Sequence, residues 1–380
     1  MSARLPPSVS RPCDKRDQCA AILETAANVA QRLQDVYWST LKGGWGILWT
    51  DANTIEDMYN LMLADGTDTF DVIGRTRIGI LAALGSKLAW ELQLNGSNDD
   101  AAWIVLALWK VSDYKNKNGQ DGSKYLNSAK MIYDIIASEW DDSTCGGGVW
   151  WSKAHTYKNA VTNELFLYLS ANGYNRFGDQ SYLDNAKKTW DWCNRISSVP
   201  RLPLDLRFTV KNSGMRNSEG LWNDGLTDDC KNNGQTTWIY NQGVVASGLA
   251  QLYVATGDAS LLDEAELTLD ATISHKTQNG ILKESCDDVA NSTCNQDQAM
   301  FKGIWMKHLQ YYLDAVPGSV SKYADFIGAQ ESAVVHYATG EGYAIENVWY
   351  GGSQGGTTFS AQSQDSGLAA HICAAKYGPC

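Results

Sequence analysis

The chain of 380 residues carries 31 Lys and Arg against 43 Asp and Glu, a formal net charge of −12, with no cluster of basic residues. That balance excludes the electrostatic footprint needed to bind nucleic acid or an anionic membrane surface. Charged residues make up only 19% of the chain while Trp reaches 15, a surplus of aromatic faces suited to sugar rings, and a neutral polysaccharide meets no repulsion from the acidic charge. No linker divides the sequence, so residues 1–380 read as a single domain with 1–17 as an N-terminal extension.

Taken in order, Ile22, Leu23, Ala26, Val29, Ala30, Leu33 and Tyr37 recur at helical spacing and predict an amphipathic helix from Gln18 to Tyr37. Leu41 to Trp49 reads as a loop. A short helix is expected to begin after Asp51-Ala52-Asn53-Thr54, and a longer one to run from about Phe70 to Leu92. Asn95-Gly96-Ser97-Asn98 then leads into an apolar helix headed by Asp99 and Asp100 and running to about Val111.

Beyond it a pattern repeats: Asp121-Gly122-Ser123, Gly178-Asp179-Gln180-Ser181, Gly257-Asp258-Ala259-Ser260 and, more weakly, Gly318-Ser319-Val320-Ser321 each precede a helix with one polar face. Between these lie helices that are apolar nearly all round, opening near Asn159, Gln235, Gln298 and Thr358, with Asn53 and Asp99 marking two earlier ones. Six inner helices spaced by roughly fifty to seventy-five residues, alternating with outer ones, predict an all-α (α/α)6 barrel of six helical hairpins. Inner-helix N-termini and long loops would form the active-site face. Gly148-Val149-Trp150-Trp151 and Arg207-Phe208-Thr209-Val210 are expected to be short strands in those loops.

Nine cysteines lack CxxC spacing and any Cys/His zinc pattern, and two sequons begin at Asn95 and Asn291. Disulfides in an oxidising compartment are expected, with at least one thiol left over. No run of about eighteen apolar residues suggests a membrane span. Met1 to Pro7 lacks the apolar core of a signal peptide, and the C-terminal end carries no hydrophobic anchor tail. The expectation is a trimmed mature form, secreted or associated with a cell wall, and a monomer.

The paired acids Asp99 and Asp100 suggest chemistry. Glycosidic cleavage requires one carboxyl to protonate the leaving oxygen and another to attack the anomeric carbon or activate water. Adjacent helix residues diverge by about a hundred degrees and can flank a sugar. Capping the helix N-terminus would explain one of the two without catalysis. The doublets Asp141-Asp142, Asp228-Asp229 and Asp287-Asp288 sit among turn residues and read as solvated loop positions. His155, His275, His308, His336 and His371 form no HExxH, no GxSxG elbow occurs, and no metal or other cofactor is called for.

Several segments together carry a resemblance. Asn98-Asp99-Asp100 with Trp103, Trp49-Thr50-Asp51-Ala52-Asn53, Gly146 to Trp151 followed by Tyr157 to Glu164, Trp238-Ile239-Tyr240-Asn241-Gln242-Gly243 and Phe301-Lys302-Gly303-Ile304 resemble glycoside hydrolase family 76, the α-1,6-mannanase family of fungi and bacteria. The resemblance implies endo-hydrolysis of α-1,6-linked mannan, polymer or oligosaccharide, with retention, Asp99 as nucleophile and Asp100 as acid/base. Asn53, Asn163, Tyr240, Asn241 and Gln242 are candidate hydroxyl-binding residues, Trp49, Trp103, Trp150, Trp151 and Trp349 candidate stacking platforms, and Asp228 a candidate for a distal subsite. Lys302 reads as a charge partner inside the barrel. A transglycosylase on wall or glycolipid-linked mannan and a silent mannan-binding protein are the alternatives.

Overall fold

The computed structural model describes residues 19–194 and 214–380. The N-terminal extension and the strand expected at Arg207 to Val210 lie outside them. Thirteen α-helices are found among the described residues. Six form the inner ring: α2 (Leu48–Asp65), α5 (Asn98–Lys117), α7 (Ala160–Phe177), α9 (Ile239–Thr256), α11 (Phe301–Ala315) and α13 (Ala361–Tyr377). Each packs on the next, and α13 closes the circle onto α2. The outer ring is α1 (Ala20–Arg32), α3 (Arg77–Leu84) with α4 (Lys87–Leu94), α6 (Ser123–Ala137), α8 (Gln180–Cys193), α10 (Ser260–His275) and α12 (Val320–Ala333). This is an (α/α)6 barrel.

The division between rings follows from the sequence. Every residue from Ala361 to Ala375 in α13 is buried, whereas α8 buries Tyr182, Leu183, Ala186, Thr189, Trp190, Trp192 and Cys193, one stripe of an amphipathic helix. The repeated Asp-x-Ser pattern has a physical basis too. Asp121, Asp179 and Asp258 each accept a hydrogen bond from the backbone N–H two residues on, at 2.9, 2.9 and 3.0 Å, and so start α6, α8 and α10. Between α11 and α13 the backbones nearly touch. A Cβ on Gly303 would stand 2.3 Å from the Ser366 Cα, and the Gly303 N–H donates to the Ser366 hydroxyl at 2.8 Å.

The first hairpin departs from expectation. Its inner helix begins at Leu48 and runs 18 residues, while the outer helix expected from Phe70 to Leu92 is broken into α3 and α4. Gly85 ends α3 in the left-handed region at φ 59°, a conformation that a side chain would resist. Gly148 to Trp151 forms a single β-bridge, Val149 with Trp140, rather than a strand, and the next residue, Ser152, bridges to Ser97. The two-stranded sheet among the described residues, Thr277–Gln278 with Ile281–Leu282, was not anticipated.

Disulfides join Cys19 to Cys380, Cys145 to Cys230 and Cys286 to Cys294. Cys193 and Cys373 are buried free thiols, and Cys13 lies outside the described residues. These bridges fit an oxidising, extracellular setting. No helix among the described residues is long and apolar enough to cross a membrane.

Candidate active site

Inner-helix N-termini and the loops ahead of them make one face of the barrel, and Asp99 and Asp100 occupy the first turn of α5 there. Their loop is pinned from the α7 side. The Asn98 side chain donates to the Trp150 carbonyl at 2.8 Å, and its N–H to the Trp151 carbonyl at 2.9 Å. Lys158, itself buried, holds the same loop from beneath by donating to the carbonyls of Asp141, Thr144 and Gly147 at 2.7, 2.6 and 2.7 Å.

The two carboxyls differ in their donors. Asp99 accepts from the Ser97 hydroxyl at 2.8 Å, the Asp100 N–H at 3.0 Å and the Trp151 indole N–H at 3.0 Å. Asp100 has the Ser97 hydroxyl within reach but faces the charges of Asp99 and Asp297. Burial pushes both above the usual carboxylate range, and for Asp100 the Asp99 charge adds to it, up to about 7. The three donors favour the charged form of Asp99, while the charges that Asp100 faces favour its neutral form.

Aromatic rings line the lumen below. Trp103, one turn into α5, lies 6.3 Å from Trp49, 6.5 Å from Tyr240 and 5.9 Å from His308, centroid to centroid, and Tyr240 stacks on Phe301 at 4.0 Å. His308 donates to or accepts from Ser247 at 2.7 Å and packs against Tyr168 and Tyr311. This floor closes the barrel. Among the loops ahead of α7 and α9, a cleft of about 480 Å³ is walled by Trp150, His155, Tyr157, Leu226 and Asp228. Trp151 packs edge-on against Tyr157 of that wall at 6.5 Å and is 43% exposed, whereas the Trp150 face is covered by His155 at 5.3 Å.

Not every sequence candidate reaches the mouth. Asn53 is buried, donating to the Trp49 carbonyl at 3.1 Å and accepting from Lys307 at 2.8 Å. Asn163 spends its amide on both backbone groups of Val149, at 2.8 and 3.1 Å, and Gln242 does the same for Trp222 at 2.8 and 2.9 Å. These amides hold the loops that shape the cleft. Trp349 is fully buried, with the Lys302 ammonium 5.3 Å from its ring. Asn241 is buried with neither amide atom bonded among the described residues. Lys302 does serve as an internal charge partner, paired with Asp287. Asp287 is thus no solvated loop acid: it and Lys302 are wholly buried, while Asp288 is exposed.

Comparison with known proteins now adds to the geometry. The model of glycosyl hydrolase family 76 matches residues 21–376. The chain belongs to that family. Mannan endo-1,6-alpha-mannosidase DCW1 of Candida glabrata is 26% identical over 261 residues, 67% of this chain and 55% of that protein. DCW1 of Saccharomyces cerevisiae is 24% identical over 338 residues, 84% of this chain and 68% of that one. The chain thus spans little more than half the length of the first of these relatives. Among solved structures, the α-1,6-mannanase of Salegentibacter sp. HEL1_6 superposes with a TM-score of 0.74 at 18% identity, over 93% of this chain and 99% of that one. Dfg5 of Chaetomium thermophilum, in complex with glucosamine, gives 0.75 at 16% identity, over 96% and 92%. Both share the fold.

Sequence reasoning missed two residues at the mouth. Ser97 was seen as part of a sequon, although a hydroxyl two residues ahead of an acid at a helix start is well placed to bond it. Asp297 precedes the Gln298 that marked an inner helix, and a lone acid in a polar loop gave no further sign.

Proposed function

We propose that this chain is an endo-acting retaining glycoside hydrolase that cleaves α-1,6-linked mannan by double displacement. The observation that carries the reading is the unequal pair at the mouth, Asp99 with three donors and Asp100 pushed up to about 7. Such a split gives two neighbouring carboxyls opposite roles at one pH. The relatives' names support the substrate. So does the Salegentibacter variant with two consecutive aspartates replaced by asparagine, which is inactive and was solved with α-1,6-mannotriose.

In this reading the Asp99 carboxylate attacks the anomeric carbon while Asp100 gives its proton to the departing O6, so the shortened chain leaves as an alcohol and a glycosyl ester remains. Asp100, now a carboxylate, takes a proton from water as its oxygen attacks the same carbon, and Asp99 is released. Two inversions give net retention. Trp151 holds Asp99 in line and offers an exposed ring to a neighbouring sugar. In the same reading the cleft walled by Trp150, Tyr157 and Asp228 takes further mannose units. Trp103 and Tyr240 form the apolar floor beneath the bond being cut.

Incubating the protein with linear α-1,6-mannan and following the products by proton NMR tests this directly. Short oligomers whose new reducing ends appear first in the α configuration are expected. Products that start as β would overturn retention, chains longer than the input would indicate transfer rather than hydrolysis, and unchanged polymer would sink the reading.

A further inference from the structure

Apolar side chains are unevenly spread over this surface. Seven leucines and isoleucines are exposed among the described residues, and six of them, Leu41, Ile47, Ile80, Leu84, Leu88 and Leu92, belong to the loop ahead of α2 and to the broken outer pair α3 and α4. The seventh, Leu267, stands on α10. On α3, Ile78 and Ala82 are buried while Ile80 and Leu84, one turn apart, face out. On α4, Trp90 and Leu94 are buried, and Leu88 and Leu92 share the opposite face, 64% and 74% exposed. An outer helix of this barrel needs one apolar stripe, and these two carry a second that is turned to solvent.

Cations gather beside that stripe. A cavity of about 680 Å³ is lined by Leu41, Ile47 and Ile80 together with Lys42, Arg75 and Arg77, with Gln93 of α4 on its wall. The linear sequence shows no basic cluster and so gives no sign of it, because Lys42 and the two arginines lie on either side of α2. The fold brings them together, with the Arg77 N–H donating to the Gly43 carbonyl at 2.9 Å. All three are exposed, and none is ion-paired among the described residues, although Arg75 lies 4.5 Å over the Trp38 ring. The carboxyl in the cavity wall, Asp51, is buried and accepts from the N–H groups of Trp45 and Gly46 at 2.7 and 2.8 Å. On α4, Lys87 and Glu91 offset each other 3.8 Å apart. The patch is thus cationic on a chain of net charge −12. At physiological salt, charges more than about 8 Å away are screened, so the nearest ones decide what the patch attracts.

We propose that the face formed by α3, α4 and the loop ahead of α2 docks on an anionic lipid bilayer: the leucines and isoleucines enter the boundary between headgroups and acyl chains, while Lys42, Arg75 and Arg77 meet the anionic headgroups. Apolar burial with basic residues alongside is what an interfacial membrane contact requires. Other occupants fit less well. A second copy meeting this face across a two-fold axis brings the cations of both copies together. Residues 1–18 carry Arg4, Arg11, Lys15 and Arg16 against Asp14 and Asp17, a net charge of the same sign as the patch. A neutral polysaccharide finds aliphatic branches there rather than flat rings. Gly46 to Leu48 in the cavity wall lead into α2, so the contact lies on the mouth side of the barrel.

Flotation of the 380-residue chain with large unilamellar vesicles tests this, using phosphatidylcholine alone and phosphatidylcholine mixed with phosphatidylserine. The wild type is expected to float with the mixed vesicles and to bind them at least about ten-fold more tightly than the neutral ones, since each cation near an anionic surface contributes about five-fold. Lys42→Gln combined with Arg77→Gln should lower that affinity about ten- to thirty-fold. Leu84→Asp combined with Leu88→Asp should abolish flotation. All four positions are exposed, and a thermal midpoint matching the wild type shows that each variant is folded. A wild type that stays in the buffer, binds both vesicles alike, or keeps its affinity in either double variant overturns the proposal. So does a wild-type dimer in light scattering that Leu84→Asp with Leu88→Asp splits, which would assign the face to a second copy. Flotation needs no mannan, so this inference and the functional reading stand or fall separately.

Discussion

Two clusters of acids sit on the inner helices of this barrel, one deep inside and one at the mouth. Among the described residues only the inner one has a cation. There Lys307 of α11 stands 3.0 Å from Glu56 and 3.3 Å from Asp57 of α2 and donates to Asn53 at 2.8 Å, with Asp365 of α13 beside Asp57. Tyr311 adds a hydrogen bond to Glu56 at 2.7 Å. Burial and the neighbouring Asp57 push the Asp365 carboxyl well above its ordinary range. At the mouth, Asp99 has three donors, and neither it nor Asp100 has such a counter-charge among the described residues. Ion pairs in the interior tie α11 to α2, while unpaired acids at the mouth are a standing electrostatic cost that a purely structural site has no reason to keep.

The comparison can be broken at either end, and the larger effect lies inside. Lys307→Met leaves Glu56 and Asp57 buried without their cation and should cost about 3–5 kcal/mol of stability, measured by urea unfolding at neutral pH. A loss under about 1 kcal/mol would mean the interior cluster does not hold the helices.

A smaller and opposite effect is expected at the mouth. Asp100 is raised from its ordinary 3.8 to about 7 in the fold, chiefly by burial and then by the Asp99 charge. Between those values the folded state binds more protons than the unfolded one, so the wild type loses stability as pH rises through that window. Asn does not titrate. Asp100→Asn should therefore match the wild type near pH 4 and gain on it up to about pH 7, by roughly 1–2 kcal/mol given partial solvent access. Thermal unfolding across that range checks it, and a variant less stable at neutral pH would remove the mouth from the comparison.

Much of this arrangement was legible in the residues. Polar heads on apolar helices placed the openings near Asp99, Asn159 and Gln298 within a few positions of the observed starts, because an inner helix must be apolar all round and its N-terminus must still be capped. Asp-x-Ser marked three outer helices for a local reason, a side chain bonding the backbone two residues away. Tertiary partners were not legible. Asn53, Asn163 and Gln242 read equally well as sugar ligands and as loop supports, since an amide in an apolar helix declares only that it has a partner. The break at Gly85 looked tolerable because glycine inside a helix is a weak signal until its φ is known. Asp287 resembled the exposed doublets, and nothing local showed that Lys302 would reach it.

The central claim is the division of labour between Asp99 and Asp100, and azide rescue tests it most directly. Asp100→Ala, given an α-mannosyl substrate whose leaving group needs no proton, should be reactivated by azide and yield the α-mannosyl azide, because the Asp99 ester still forms and azide displaces it. Asp99→Ala should give the β-mannosyl azide by a single displacement. The opposite pairing of variant and anomer would contradict the account.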